Sequence, residues 1–169
     1  MPRHNNPSAQ QATFRVVIGS DDAAYDYKER LKVDLLTDPR VSEVIDVGVQ
    51  GADRVPYPHV ARDGAEKIVE GAADRGILLC GTGLGMAISA NKVHGIRAVT
   101  AHDSYSVERS VKSNNAQVLC MGQRVIGIEL ARKLVDEWLD YTWDESCPSS
   151  LKVAEINAIE DSNNPSITN

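Results

Sequence analysis

The 169-residue sequence predicts an α/β protein, a three-layer α/β/α sandwich built on a five-stranded parallel sheet. Two observations carry this expectation. Short β-branched apolar runs recur along the chain, and a stretch of helical period follows each of them. Such alternation implies parallel strands joined by right-handed helical crossovers, which place helices on both faces of the sheet. The length points the same way, since a chain of this size buries roughly two-thirds of its unfolded surface in one core.

The elements follow in order. FRVVIGS (14–20) reads as the first buried strand and is followed by a helical stretch at 24–37. SEVIDVG (42–48) is the second strand and 58–73 the second helix, then GILLC (76–80) and 84–92. IRAVTA (96–101) and 104–113 form the fourth pair, and QVLCM (117–121) and 127–141 the fifth. In 127–141, Ile128, Leu130, Ala131, Leu134, Val135, Trp138 and Leu139 recur at helical spacing and give a broad apolar face. A last helix is expected near 150–160. Residues 1–13 and 161–169 are polar, rich in Asn, Ser and Pro, and read as disordered tails around a working domain at 14–160.

Composition narrows the function. The chain carries 18 Lys plus Arg against 24 Asp plus Glu, a net charge of -6, and this argues against a nucleic-acid partner. No apolar run approaches the roughly 20 residues of a membrane span, and the N-terminal stretch has no apolar core of a signal peptide, so a cytoplasmic protein with no membrane partner is expected. Cys80, Cys120 and Cys147 are too few and too scattered for a disulfide framework. Neither they nor His4, His59, His94 and His102 show zinc-site spacing, so no metal is expected.

Ligands of parallel α/β sheets sit at the carboxyl ends of the strands. There stand Ser20-Asp21-Asp22, Gly48 onward, Cys80-Gly81-Thr82-Gly83, His102-Asp103 and Gly122-Gln123-Arg124. The most informative stretch is CGTGLGMAISANKV (80–93), in which an apolar strand ends in a cysteine, passes alternating glycines and enters a helix. Glycine allows a tight turn and close approach of a ligand, and free N–H groups at a helix start bind phosphate or a developing oxyanion. The same field favours the thiolate of Cys80, leaving it open to act as nucleophile or general base. A nucleotide-binding module is the competing reading. Its G-x-G-x-x-G pattern would need a third glycine where Met86 stands, although Asp103, 20 residues after Gly83, imitates a ribose-binding acid.

Taken together, Gly19-Ser20-Asp21, Tyr57-Pro58-His59, Cys80-Gly81-Thr82-Gly83 with Gly85, Ala90-Asn91-Lys92, Gly95-Ile96-Arg97-Ala98, Asn114-Asn115 and Gly122-Gln123-Arg124-Val125 resemble the ribose-5-phosphate isomerase B family, which includes galactose-6-phosphate isomerase subunits. The resemblance covers about 14–160. It implies a Rossmann-like, cofactor-free homodimer with shared active sites, with pairing into tetramers left open, acting on a small sugar phosphate. Cys80 would shuttle a proton between C1 and C2 through a cis-enediolate. Thr82 and the N–H groups of Gly81, Gly83 and Gly85 would stabilise the enediolate oxygens. Asp21 would bind sugar hydroxyls, Asn114 would come from the partner chain, and Arg124 with Lys152 would hold the phosphate. Asp22, Tyr57, His59, Asn91 and His102 complete the expected substrate-binding set.

Two positions depart from the family. Ser113 stands before Asn114 where ribose-phosphate enzymes carry the histidine that opens the furanose ring. An aldotetrose with phosphate on O4 cannot close a five-membered ring and needs no such group. Asp22 replaces a phosphate-contacting histidine, so the phosphate must be placed or neutralised differently. The segment Thr100 to Arg109, followed by Ser113-Asn114-Asn115, is similar to a subgroup acting on four-carbon phosphates such as erythrulose 4-phosphate. The alternative is that His102 takes over ring opening.

Overall fold

The computed structural model describes residues 13–51 and 53–163. Five parallel strands, β1 (Phe14–Ser20), β2 (Val41–Asp46), β3 (Arg75–Cys80), β4 (Ala98–Thr100) and β5 (Val118–Gly122), lie in the order β2-β1-β3-β5-β4. A short 3-10 turn (Asp22–Ala24) leads into α1 (Tyr25–Thr37); α2 (Tyr57–Val69), α3 (Leu84–Ala90), α4 (Ser104–Lys112), α5 (Ile128–Asp140) and α6 (Ser150–Ser162) follow. The three-layer α/β/α sandwich with a five-stranded parallel sheet is therefore observed.

The period-two alternation of the strands sorts the core into two layers. Val16, Ile18, Ile77, Leu79, Leu119 and Met121 face α1, α4 and α5, where Leu31, Leu35, Val107, Val111, Leu134 and Trp138 meet them. Leu78, Cys80, Val118 and Cys120 face α2 and α3, against Val60, Ala61, Ala65, Met86 and Ala90. At the amino end of the sheet, buried Arg75 is stacked on Phe14 and Trp138 and donates to the carbonyls of Trp138 (2.6 Å) and Tyr141. It thereby satisfies the open carboxyl end of α5, and burial pushes its pKa down to about 10.

Several boundaries differ from the sequence reading. β2 runs to Asp46 rather than 48; the Asp46 carboxylate accepts the Gly48 N–H (2.9 Å), and the buried Lys28 side chain fills the space a Cβ on Gly48 would need. α2 ends at Val69 rather than 73, with Gly71 leaving the helix at φ +74°. α6 runs to Ser162, so residues 161 and 162, expected in the tail, are helical. Residues 1–12 and 164–169 of the expected tails lie outside the described residues. Among the described residues no helix is long and apolar enough to cross a membrane.

Candidate active site

β3 and β5 lie side by side, with Cys80 opposite Gly122, so the segments that follow them meet at the carboxyl edge of the sheet. The two turns are joined by backbone hydrogen bonds, from Gln123 N–H to the Cys80 carbonyl (3.0 Å) and from Arg124 N–H to the Gly81 carbonyl (3.0 Å). Close approach requires glycine at Gly122, where a Cβ would lie 2.5 Å from Thr82 Cα. Gly83 turns at φ +78° against the Met121 backbone and opens α3.

Cys80 is almost fully buried, and its Sγ accepts the Gly83 N–H at 3.1 Å. The Gly83 amide, expected among the oxyanion donors, thus meets the sulfur. Thr82 is exposed beside it, its Oγ1 accepting from Leu84 N–H at 3.4 Å. The Arg124 guanidinium lies over Gly81, about where a Cβ would come within 3.2 Å of it, and the Tyr57 ring lies on Gly85.

Asp21, Asp22 and Tyr57 line one concavity of about 310 Å³ together with Arg54, Val55 and Pro56. Asp21 caps the 3-10 turn, accepting from Ala23 N–H at 3.1 Å. Burial pushes its carboxyl pKa up, the neighbouring Asp22 adds to this, and Arg124 opposes it. Arg124 on Gly81 and Tyr57 on Gly85 thus connect this concavity to the Cys80 loop. Arg54 was not anticipated, because a single arginine in an aperiodic loop carries no sequence signal.

Other expected residues lie elsewhere in the chain. Asn91 donates to the Ala98 carbonyl (2.8 Å) and accepts from the Ala98 N–H (2.7 Å). Its amide thereby works as a strand surrogate for β4. Asn114 is exposed and lines a crevice under α6 with Arg97, Ile156 and Glu160. His59 faces a groove between α2 and α3 beside Arg62 and Lys92, and Lys152 is exposed on α6.

His102 follows β4, and its Nε2 accepts the Gly122 N–H at 2.9 Å, while Thr100 Oγ1 donates to the Gly83 carbonyl at 3.0 Å. Asp103 caps α4 by accepting from Ser106 N–H (2.8 Å), which removes the ribose-binding part suggested for it. The site Met86 takes from a third glycine is packed in the core. Among the described residues no cluster of three His, Cys, Asp or Glu could hold a metal ion.

A buried thiol at a strand end that accepts the Gly83 N–H, in a glycine turn with the Arg124 guanidinium over Gly81, defines an α/β enzyme that handles an anionic substrate at the carboxyl edge of its sheet. The Ribose/Galactose Isomerase family matches residues 16–156, and the chain belongs to that family. It is a sugar-phosphate aldose–ketose isomerase of the ribose-5-phosphate isomerase B type.

The chain is similar to isomerases named for different sugar phosphates. It is 60% identical over 148 residues to D-erythrulose-4-phosphate isomerase 2 of Mycolicibacterium smegmatis, covering 87% of this chain and 97% of that one. It is 39% identical to ribose-5-phosphate isomerase B of Escherichia coli, covering 89% and 99% of the two chains. Among solved structures, type B ribose 5-phosphate isomerase of Leishmania infantum superposes with a TM-score of 0.85 at 35% identity, covering 89% of this chain and 99% of that one.

Proposed function

We propose that the chain interconverts D-erythrulose 4-phosphate and its aldose, with Cys80 as the base. The observation that carries the substrate choice is Ser113, which stands where a ring-opening histidine is expected and, as the residue capping the carboxyl end of α4, accepts at Oγ from Arg109 Nη1 (3.3 Å). A four-carbon substrate needs no ring opening, and the likeness to the Mycolicibacterium smegmatis enzyme at 60% identity supports the same choice. His102 is a poor replacement, since its Nε2 is engaged by Gly122.

The Cys80 thiolate takes a proton from C1 of the ketose, and the C1–H electron pair becomes the C1–C2 double bond of a cis-enediolate. The thiol returns that proton to C2, while a hydroxyl proton passes between O1 and O2 beside Thr82. The Gly83 N–H, 3.1 Å away, holds the sulfur at the strand end. The amides of Gly81 and Gly85 and the Thr82 hydroxyl serve the enediolate oxygens, the electrostatic contribution that usually dominates such reactions.

Asp21 binds the sugar hydroxyls and Arg124 the phosphate. Arg54 brings a guanidinium into the concavity that holds Asp22. Asn114 lines the crevice under α6 and Lys152 is exposed on α6, whereas Asp21 and Tyr57 line the concavity with Arg54, which supports a homodimer in which each copy completes the other's site.

The test compares kcat/KM for D-erythrulose 4-phosphate and D-ribose 5-phosphate on metal-free protein. A preference of about 100-fold or more for the four-carbon substrate is expected, of the size that complementarity of a site to one substrate supplies. Equal or better turnover of ribose 5-phosphate would overturn the substrate assignment.

A further inference from the structure

β4 is the shortest strand, and the way its ladder with β5 ends is unusual. Its last paired residue is Thr100, opposite Cys120. One further bond follows the parallel pattern, from Ala101 N–H to the Cys120 carbonyl at 3.3 Å. Continuing that pattern, the Gly122 N–H would go to the Ala101 carbonyl. It goes instead to Nε2 of His102 at 2.9 Å. An imidazole nitrogen replaces a backbone carbonyl at the last rung.

That rung adjoins the reacting centre. Gly122 is paired with Cys80 on its other side, its missing Cβ admits the Thr82 backbone, and it begins the turn whose Arg124 N–H holds the Gly81 carbonyl. Two residues earlier, Thr100 holds the Gly83 carbonyl, and the Gly83 N–H is the donor to Cys80 Sγ. The end of β4 thus grips both turns around the thiol.

We propose that His102 is a positioning residue for the Cys80 loop, acting as a neutral acceptor that completes the β4–β5 ladder and fixes the Gly122–Arg124 turn against Gly81 and Thr82. The inference rests on Cys80 being the base, and it gives His102 a part that does not touch substrate. A nitrogen that accepts a backbone N–H carries no proton, so the ring proton is on Nδ1. An imidazolium has no acceptor and cannot hold Gly122. Burial lowers the pKa of His102, which supports a neutral ring, while Asp103 works against it. The other charged or titratable groups around this rung are Cys80 on β3, Arg124 after β5, and Lys133 of α5, which reaches Ser104 at 3.3 Å.

The experiment combines kinetics of wild type, His102→Leu and His102→Gln over about pH 5 to 8 with nitrogen NMR of the wild-type imidazole. His102→Leu should lower kcat about 10-fold to 100-fold, as misplacement of a catalytic loop does, with KM changed far less. His102→Gln offers Oε1 near the place of Nε2; it should recover most of the rate and lose the fall on the acid side that imidazole protonation causes. NMR should show the Nδ1–H tautomer near neutral pH. A proton on Nε2 overturns the proposal, even if a variant fails to fold. So does wild-type kcat in a folded His102→Leu protein, or a folded His102→Gln protein no better than His102→Leu. A wild-type enzyme inactive on sugar phosphates would instead overturn the isomerase reading and, with it, the catalytic meaning of the bond.

Discussion

Cys80 and Cys120 show how two thiols facing the same layer of one core come to differ. Cys120 lies mid-strand, fully buried, and burial pushes its pKa up strongly, leaving an inert thiol. Cys80 ends its strand two residues further along the ladder, where the chain turns and the Gly83 N–H reaches the sulfur. If Cys80 is the base, Cys80→Ala should lower kcat by about 10³-fold or more. Circular dichroism and the rise in Tm with added substrate should remain near wild type, because the lost volume is one sulfur atom at the rim of the core. Asp21 is the opposite case, a carboxyl pushed up by burial beside a second acid, the kind of strain that substrate-binding groups carry. These differences were partly legible beforehand, since position at a strand end is a sequence property, but which amide meets the sulfur is not.

At the scale of elements, ion pairs secure the strand ends. Burial pushes the Asp46 carboxyl up, but hydrogen bonds from Lys28 and Lys32 and from the Gly48 N–H outweigh it, and its pKa is lowered. Lys28 itself is wholly buried and also donates to the Val49 carbonyl, so the pair anchors the loop that leads toward Tyr57. Arg40 hydrogen-bonds Asp38 and lowers its pKa, and Arg15 does the same for Asp74. Carboxylates depressed in the folded state add stability that is present above their unfolded pKa of about 4 and is lost as pH falls through the folded values. The urea midpoint should therefore drop as pH is lowered from about 5 to about 3. Asp46→Asn should cost about 2 kcal/mol at neutral pH and make that drop shallower. An unchanged acid slope in the variant would show that Asp46 does not contribute. The helices and strands behind these pairs were largely legible from periodicity, whereas the pairs join residues as far apart as Arg40 and Asp140, which no local pattern reveals.

For the whole molecule, the distribution of exposed apolar side chains bears on assembly. α6 exposes Leu151, Ile156 and Ile159 and buries only Val153, and α3 exposes Leu84 and Ile88 one turn apart. A helix with so little of its apolar surface covered gains little from its own chain, and a second copy is the occupant that would also bring Asn114 and Lys152 to a site. Light scattering should give twice the 18.4 kDa chain mass. Mixing Cys80→Ala with Lys152→Ala chains under exchange should restore activity in about a quarter of the sites at most, since only one of the two sites in a mixed dimer regains both residues. A monomer, or no restoration between exchanging dimers, would remove the shared site.

By itself the sequence determined the α/β architecture, because five short β-branched apolar runs are each followed by a helical stretch, and these bury their apolar surfaces in a layered sheet. It also determined the Cys80-Gly81-Thr82-Gly83 loop and its place at a strand end, because glycine spacing is a local conformational signal. The tertiary structure decided the rest. It joined the Asn91 amide to Ala98, gave Gly83's amide to the sulfur, put Arg54 in one concavity with Asp22, and used His102 as the last rung of the β4–β5 ladder. Each of these is a choice of hydrogen-bonding or packing partner between distant segments. A residue's chemistry is written in the sequence, but its partner exists only once the sheet has ordered its strands as β2-β1-β3-β5-β4.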